Sequence, residues 1–399
     1  MSKSKLFSRD FILILAANFL LYLGFYLLLP IFPFYLSESF GADKATIGVV
    51  LSCYTIAALV IRPFSGYLLD AFQRKPLYMA AYVVFTLMFG GYIAAWCLAV
   101  FVIMRVLHGF AFGMVTVGGN TIVIDILPSE RRGEGVGYYG MANNFAMCVG
   151  PMVGLFMHGV FSFEVIFLTA VGVCALGLFC ASLIKTKVRP LVQRPPLSLD
   201  RFILLRGIPG GLALMLLSIP YGLTTTYIAM YALELNVNIS SGLFFSLMAI
   251  GIASSRIFSG KWVDKGYTAK LIEWSSFSCI VVFGLLGICG FLNGGTLSTW
   301  VSVIFLTAAL LMGVCFGVMF PAYNNYFVSL APNKQRGTAV STYLTSWDVG
   351  IGLGLAIGGT MVEFIGFAMA YICGALLAVV SWAWFKWYVA LKYEQQRIS

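Results

Sequence analysis

Residues 62–70 read Arg-Pro-Phe-Ser-Gly-Tyr-Leu-Leu-Asp, and the same frame returns 194 positions later, at residues 256–264, as Arg-Ile-Phe-Ser-Gly-Lys-Trp-Val-Asp. Arg62, Phe64, Ser65, Gly66 and Asp70 thus recur as Arg256, Phe258, Ser259, Gly260 and Asp264. A second series runs at an offset of 204, carrying Gly109, Gly113, Asn120, Pro128, Arg132, Gly150 and Gly154 onto Gly313, Gly317, Asn324, Pro332, Arg336, Gly354 and Gly358. An ordered series at two neighbouring offsets, each close to half of the 399 residues, marks a chain in which one structural unit occurs twice. Whatever fold the first half adopts, the second adopts a related one.

The repeated unit is written mostly in apolar residues. Of the whole chain 60% is hydrophobic and 10% charged, against about 25% charged in a soluble domain. That much apolar surface has to face lipid. The apolar runs are too long and alternate too little for barrel strands, and backbone groups in hydrocarbon must be satisfied within each segment, so the segments are helices. Twelve such runs are read, at roughly 11–35, 45–69, 76–96, 98–126, 136–159, 163–184, 208–232, 241–263, 271–292, 299–329, 338–362 and 366–390. The first follows Lys3, Lys5 and Arg9 but is too long for a signal peptide and is kept as a span.

The net charge of +10 is sorted by side. Alternate loops hold the cations: the amino terminus, Arg74/Lys75, Arg131/Arg132, the stretch after residue 184, Lys265/Lys270, Lys334/Arg336 and the carboxyl tail. The other side holds Lys44 beside acids such as Glu38, Asp43, Glu164, Glu234 and Glu363. Basic loops stay in the cytoplasm, so both termini are expected there, with an even number of spans. The basic charge is therefore a topology signal and no nucleic-acid footprint. A polar, proline-rich stretch over residues 185–207 separates two expected six-helix domains, 1–184 and 208–399. The nine cysteines lie in apolar runs without a CxxC, which predicts free thiols, no disulfide framework and no metal site. No phosphate-binding loop points to ATP, and no cofactor is expected.

Gly66-x-Leu68-x-Asp70-x-x-x-Arg74-Lys75, in the loop after span two, resembles the signature loop of the major facilitator superfamily. The family usually carries a basic residue where Ala71 stands and glycine where Gln73 stands. Arg105-x-x-x-Gly109 in span four resembles a second family motif, with His108 where glutamine is usual. Gly150-Pro151-x-x-Gly154 resembles the motif of the family's antiporters, with Ala146 in place of an upstream glycine. The resemblance covers essentially the whole chain. It implies an all-α membrane protein of twelve transmembrane helices in two pseudo-symmetric six-helix domains, the major facilitator fold, rocking around a central site. It also implies a cytoplasmic latch formed by Arg62, Gly66, Asp70, Arg74 and Lys75, joined by Asp125 and, in the second repeat, by Arg256, Gly260 and Asp264. Because the second copy lacks the paired basic residues, the latch is expected to act mainly from the first half. Spans one, four, seven and ten face the cavity in this family, which makes Asn18, Tyr22, Asn120, Tyr227 and Asn324 candidate linings of an aromatic, amide-bearing cavity low in charge; helix glue is the competing role for each.

Two charges lie deep in the spans. Arg105 is about seven residues inside span four, where a cation is costly unless it is paired or faces water; the plainer alternative is snorkelling towards the interface. Asp348 lies eleven residues beyond Gly337, about 16 Å into span eleven at ~1.5 Å per residue, near the middle of a bilayer core of about 30 Å. Its repeat equivalent is Asn144, so the halves are chemically unequal there. A carboxylate at that depth suits reversible protonation, with a structural hydrogen-bonded role as the alternative. Gly150, Pro151 and Gly154 share one helix face, where close packing explains them as well as transport does. His108 and His158 have no metal-like partner at helical spacing and read as ordinary residues.

The expectation is a proton-coupled exporter of a small amphipathic organic compound in the inner membrane of a bacterium. It would act as a monomer, with protons, a small molecule and the lipid bilayer as its partners. An uptake symporter or facilitator is the nearest alternative and a lipid flippase a more distant one. A membrane enzyme would need clustered catalytic side chains, and none is visible.

Overall fold

The computed structural model describes residues 6–128, 131–186, 203–237, 241–293, 298–331 and 336–396. Within them the chain is almost wholly helical: α1 (Arg9–Leu28), α2 (Phe32–Phe40), α3 (Lys44–Ala71), α4 (Arg74–Ile93), α5 (Leu98–Ile126), α6 (Arg132–Met157), α7 (Phe163–Ser182), α8 (Ile208–Glu234), α9 (Ser241–Asp264), α10 (Thr268–Leu292), α11 (Ser298–Ser329), α12 (Arg336–Trp384) and α13 (Ala390–Gln396). Among the described residues, eleven helical stretches are long and apolar enough to cross a membrane.

Eleven stretches still make twelve crossings. The last covers 58 residues, about 87 Å at ~1.5 Å per residue, far more than a bilayer core of about 30 Å. It turns back at Gly366, whose φ of 77° and ψ of 167° are non-helical; only glycine takes that conformation without strain. The first span differs from its sequence reading as well. It is expected as one run over 11–35, but α1 stops at Leu28 and α2 resumes at Phe32. Pro30, which has no N–H to donate, sits in the break.

The helices form two compact units, one of Met1–Phe40 with Cys53–Pro196 and the other of Gly41–Ser52 with Leu197–Ser399. In the first, α1 packs on α6 and α7, and α4 on α5 and α7. In the second, α8 packs on α12, α9 on α11, and α10 on α11 and α12. The repeated glycines set matching contacts in both. A Cβ on Gly109 or Gly113 would collide with Tyr54, Ala58 or Ile61 of α3, and one on Gly313 or Gly317 with Met248, Ile252 or Ser255 of α9. Likewise Gly150 and Gly154 admit Tyr26 and Leu27 of α1, while Gly354 and Gly358 admit Ile219 and Leu223 of α8. Absent side chains let backbones approach where lipid supplies no hydrophobic drive. Several hydroxyls inside the spans bond back to their own helix, as Thr116 does to the Phe112 carbonyl (2.8 Å) and Thr224 to the Pro220 carbonyl (2.8 Å), which satisfies them without water.

Candidate functional site: a buried arginine, a second-unit carboxylate and a braced helix end

Arg105 lies on the second turn of α5 and is completely buried. Its guanidinium is sandwiched between two rings, 4.6 Å from the centroid of Phe32 on α2 and 4.5 Å from that of Tyr54 on α3. Aromatic faces carry negative charge density and stabilise a desolvated cation by about 2 kcal/mol each at best. Nη1 of Arg105 donates to the hydroxyl of Tyr92 at 3.4 Å. That hydroxyl lies 2.7 Å from Nδ1 of His108, and the Tyr92 carbonyl accepts from the Tyr35 hydroxyl at 3.2 Å. Arg105 therefore does not snorkel: four helices enclose it. His108, expected to be ordinary, is fully buried beside Arg105, with Phe85 and Phe89 rings 4.4 and 4.6 Å away.

Asp348 sits on α12, half-buried, one residue after the buried Trp347. Tyr343, one turn earlier, is within electrostatic reach of both Asp348 and Arg256. Arg256 on α9 and Asp348 on α12 thus act with opposite sign on one tyrosine hydroxyl. Trp347 packs on Tyr221 (4.8 Å), Phe316 (5.7 Å) and Phe320 (4.9 Å), an aromatic wall from α8 and α11.

Of the five candidate cavity residues, Asn18, Tyr22 and Asn120 belong to the first unit and Tyr227 and Asn324 to the second. Asn18 is buried and donates to the Tyr139 carbonyl at 3.2 Å, joining α1 to α6. Asn120 donates to Thr116 within its own helix (3.1 Å). Tyr22 is half-buried, stacked on Tyr26 (6.0 Å) and edge-on to Phe112 (5.6 Å). Tyr227 is fully buried and donates to the Lys44 carbonyl at 3.4 Å. Asn324 is half-buried, with its Oδ1 enclosed and accepting no hydrogen bond among the described residues.

At the basic end of the first unit, Arg74 Nη1 meets Asp125 Oδ2 at 2.6 Å, and Arg74 Nε donates to the Leu69 carbonyl at 3.3 Å. Lys75 donates to the Ser182 and Ile184 carbonyls at 2.8 and 2.5 Å, a cation on the C-terminus of α7 where the helix dipole is negative. The loop thus ties the ends of α3, α5 and α7 together. In the second unit Thr268 stands at the position of Arg74, and it accepts from Asn325 at 2.8 Å. Arg62 and Arg256 are half-buried, and Gly260 has open space beside it. The side chains of Gly66, Asp70 and Asp264 lie outside the described residues.

Sequence reasoning missed a cluster around the first turn of α3 in the second unit. Glu363 accepts from the Lys44 backbone N–H at 3.0 Å, Glu234 lies 3.5 Å from Lys44 Nζ, and that ammonium sits 4.8 Å over Phe367. Loop sorting put these three charges on one side, but nothing in their spacing indicated that they touch. Asp43 caps α3, accepting from the Thr46 N–H at 2.6 Å; hydrogen bonding from the Thr46 side chain, and then from this N–H, holds its carboxyl below the usual carboxylate range. His158, just past α6, stacks on Phe34 at 4.5 Å; partial burial lowers its pKa against the opposing pull of Glu38 at 3.9 Å.

Known proteins bear on this arrangement. The chain is 24% identical over 358 residues to the staphylopine export protein of Staphylococcus aureus, covering 85% of this chain and 86% of that protein. It is 26% identical over 356 residues to the quinolone resistance protein NorA of the same species, covering 86% and 88%. Among solved structures, a D-xylose–proton symporter superposes with a TM-score of 0.78 at 14% identity, over 96% of this chain and 98% of that one. The nucleoside transporter NupG superposes at 0.71 and 16%, over 94% and 98%. Residues 14–304 and 273–398 match the Major Facilitator Superfamily, and with twelve helical crossings arranged as a repeat, this multi-pass membrane protein belongs to that superfamily of small-molecule transporters.

Proposed function

We propose that this chain is a proton-coupled exporter of small amphipathic organic compounds, working by alternating access in a bacterial inner membrane. The observation that carries the reading is the unequal placement of charge in two otherwise matching units. A cation that cannot titrate, Arg105, is enclosed in the first, and a half-buried carboxylate, Asp348, stands on a membrane-spanning helix of the second. Asn144 occupies the position equivalent to Asp348, so only the second unit carries an ionisable group there. Reversible protonation of Asp348 changes the charge of one unit and biases the balance between access states. A ligand shifts that balance only by its differential affinity for them. Two relatives whose names denote export and drug resistance support the outward direction. The aromatic wall around Trp347 suits a substrate with an apolar body.

In this reading residues 1–184 rock against 208–399 about the 185–207 linker, both termini are cytoplasmic, and a monomer suffices. Arg74, Lys75 and Asp125 brace the cytoplasmic end of the first domain. The test is transport in proteoliposomes under an imposed pH gradient, with a panel including ethidium and a quinolone. Proton influx should drive at least one compound outward, and D348N should reduce that coupled rate by at least tenfold. Undiminished proton-driven transport by D348N, or accumulation in the opposite direction, would overturn the proposal.

A further inference from the structure

The Arg105 enclosure contains more polar chemistry than packing requires. Tyr92, Arg105 and His108 are all fully buried, and Tyr54 nearly so. The second unit shows what the same crossing needs for packing alone. Gly313 approaches the Met248 carbonyl as Gly109 approaches that of Tyr54, so Met248 is the structural counterpart of Tyr54. At the repeat offset, Arg105 and His108 correspond to Ala309 and Met312. Met248, Ala309 and Met312 are completely buried, so apolar residues occupy these positions where α9 packs on α11. The fold therefore does not require an arginine, a histidine or a tyrosine at these positions.

A guanidinium only donates, so the Tyr92 oxygen accepts from Arg105 (3.4 Å). The same hydroxyl meets His108 Nδ1 at 2.7 Å, and it donates there when the imidazole is neutral with its proton on Nε2, an atom with no hydrogen-bond partner among the described residues. The fixed Arg105 cation and the Phe85 and Phe89 rings around His108 disfavour a second positive charge on that ring. Among the described residues, the ionisable groups against the ring are Arg105 on the same helix, Tyr92 on α4 and Tyr54 on α3. None is a carboxylate.

We propose that Tyr92 and His108 are positioning residues that lock Arg105 as a fixed, non-titrating positive charge in the first unit. Tyr92 passes the orientation set by His108 to the guanidinium, and Phe32 and Tyr54 hold its two faces. The transport consequence rests on the export reading above: the coupling proton is carried elsewhere, and His108 adds no step of its own to the pH profile. The locking itself does not depend on that reading. Glutamine can accept from the Tyr92 hydroxyl through Oε1, whereas leucine cannot accept at all.

The experiment uses the full chain purified in detergent, with arginine-selective labelling by phenylglyoxal read at Arg105 by peptide mass spectrometry. The same variants are then assayed for pH-driven efflux, and thermal unfolding confirms that each is folded. Arg105 should resist labelling in the wild type and in H108Q, and label at least fivefold faster in H108L and Y92F. The maximal efflux rate should fall about tenfold in H108L and Y92F, stay within about twofold in H108Q, and fall no further in Y92F/H108L than in either single variant, as expected for residues acting as one unit. The efflux pH profile of H108Q should match that of the wild type. Equal labelling of H108Q and H108L, multiplying effects in the double variant, or a shifted pH profile in H108Q would refute the lock. Correct labelling without any pH-driven efflux in the wild type would refute the transport reading and leave the lock standing.

Discussion

Removing the carboxylate of Asp125 tests whether the charged end of the first unit braces its helices. Arg74 and Asp125 meet at 2.6 Å with side chains 19% and 20% exposed, so the pair is mostly, not wholly, withdrawn from water. Two unit charges about 4 Å apart attract by about 4 kcal/mol at an effective dielectric of about 20. Desolvation and residual screening offset about half of that, leaving about 2 kcal/mol. D125A should therefore destabilise the protein by about 2 kcal/mol. R74Q/D125N should cost about 1 kcal/mol or less, because it removes both charges and strands neither. The second unit supplies the precedent, holding the matching helix ends with the neutral Thr268–Asn325 hydrogen bond. Since unfolding of a multi-pass protein is commonly irreversible, apparent melting midpoints in detergent should be compared at one scan rate. The order wild type, R74Q/D125N, D125A should persist at about 0.5 M salt, because partly buried pairs are weakly screened. Wild-type stability of D125A, or a double variant less stable than the single one, would refute the reasoning.

Two further outcomes follow from local geometry. G154L and G354L should each lose most monodisperse protein on gel filtration, because overpacking a close backbone approach costs about 1–3 kcal/mol or more, whereas G90L and G284L, whose Cβ positions are open, should behave as the wild type. For Asp43 the folded-state pKa is depressed by hydrogen bonding from the Thr46 side chain and then its N–H, so the α3 cap is present above the unfolded carboxylate pKa and is lost as pH falls through the lower folded value. Hydrogen exchange at the Thr46 amide should stay protected at neutral pH and lose protection in that acid range, and D43A should abolish protection at every pH.

The repeat made the fold legible because glycine spacing is a backbone property. Gly109/Gly113 with Gly313/Gly317, and Gly150/Gly154 with Gly354/Gly358, could be paired before any coordinates, and in the structure each set admits the corresponding helix. Where chain path depends on one residue, the reading was coarser. Pro30 splits the first span, which the reading ran through as one segment, whereas the break read between 362 and 366 does fall at Gly366. The polar contacts were less legible still. In a soluble helix the apolar stripe tells which face is buried, but here lipid and protein interior are equally apolar, so hydropathy does not separate them. Asn18 and Tyr22 share a helical stripe, yet Asn18 ends in a backbone bond to Tyr139 and Tyr22 against Phe112. Arg105 could be flagged by charge alone. Its partners could not, since Phe32, Tyr54 and Tyr92 are three aromatics among 62 in the chain, counting 34 Phe, 20 Tyr and 8 Trp.

The divergence between the copies has a physical logic. A duplicated helix bundle inherits the same close crossings, and these cost nothing to keep twice because they consist of missing side chains. Buried charge is different. Each enclosed cation must recover its lost hydration from rings and hydrogen bonds, which in the first unit takes Phe32, Tyr54 and Tyr92 together. A second such enclosure would repeat that cost. The second unit instead fills the site with Met248, Ala309 and Met312, and its ionisable group stands on another helix as Asp348. Transport by two rocking halves needs a group whose charge changes and surroundings against which the change registers. In the proposed mechanism, a permanent cation in one copy and a carboxylate that takes up and releases the proton in the other would meet both needs without placing two mobile charges in hydrocarbon. Introducing a carboxylate at the matching position of the first unit, N144D, should therefore destabilise the protein without substituting for Asp348: N144D/D348N should be as deficient in pH-driven efflux as D348N alone. Restored coupling in that double variant would show the two copies to be chemically interchangeable, and the asymmetry to be an accident of descent.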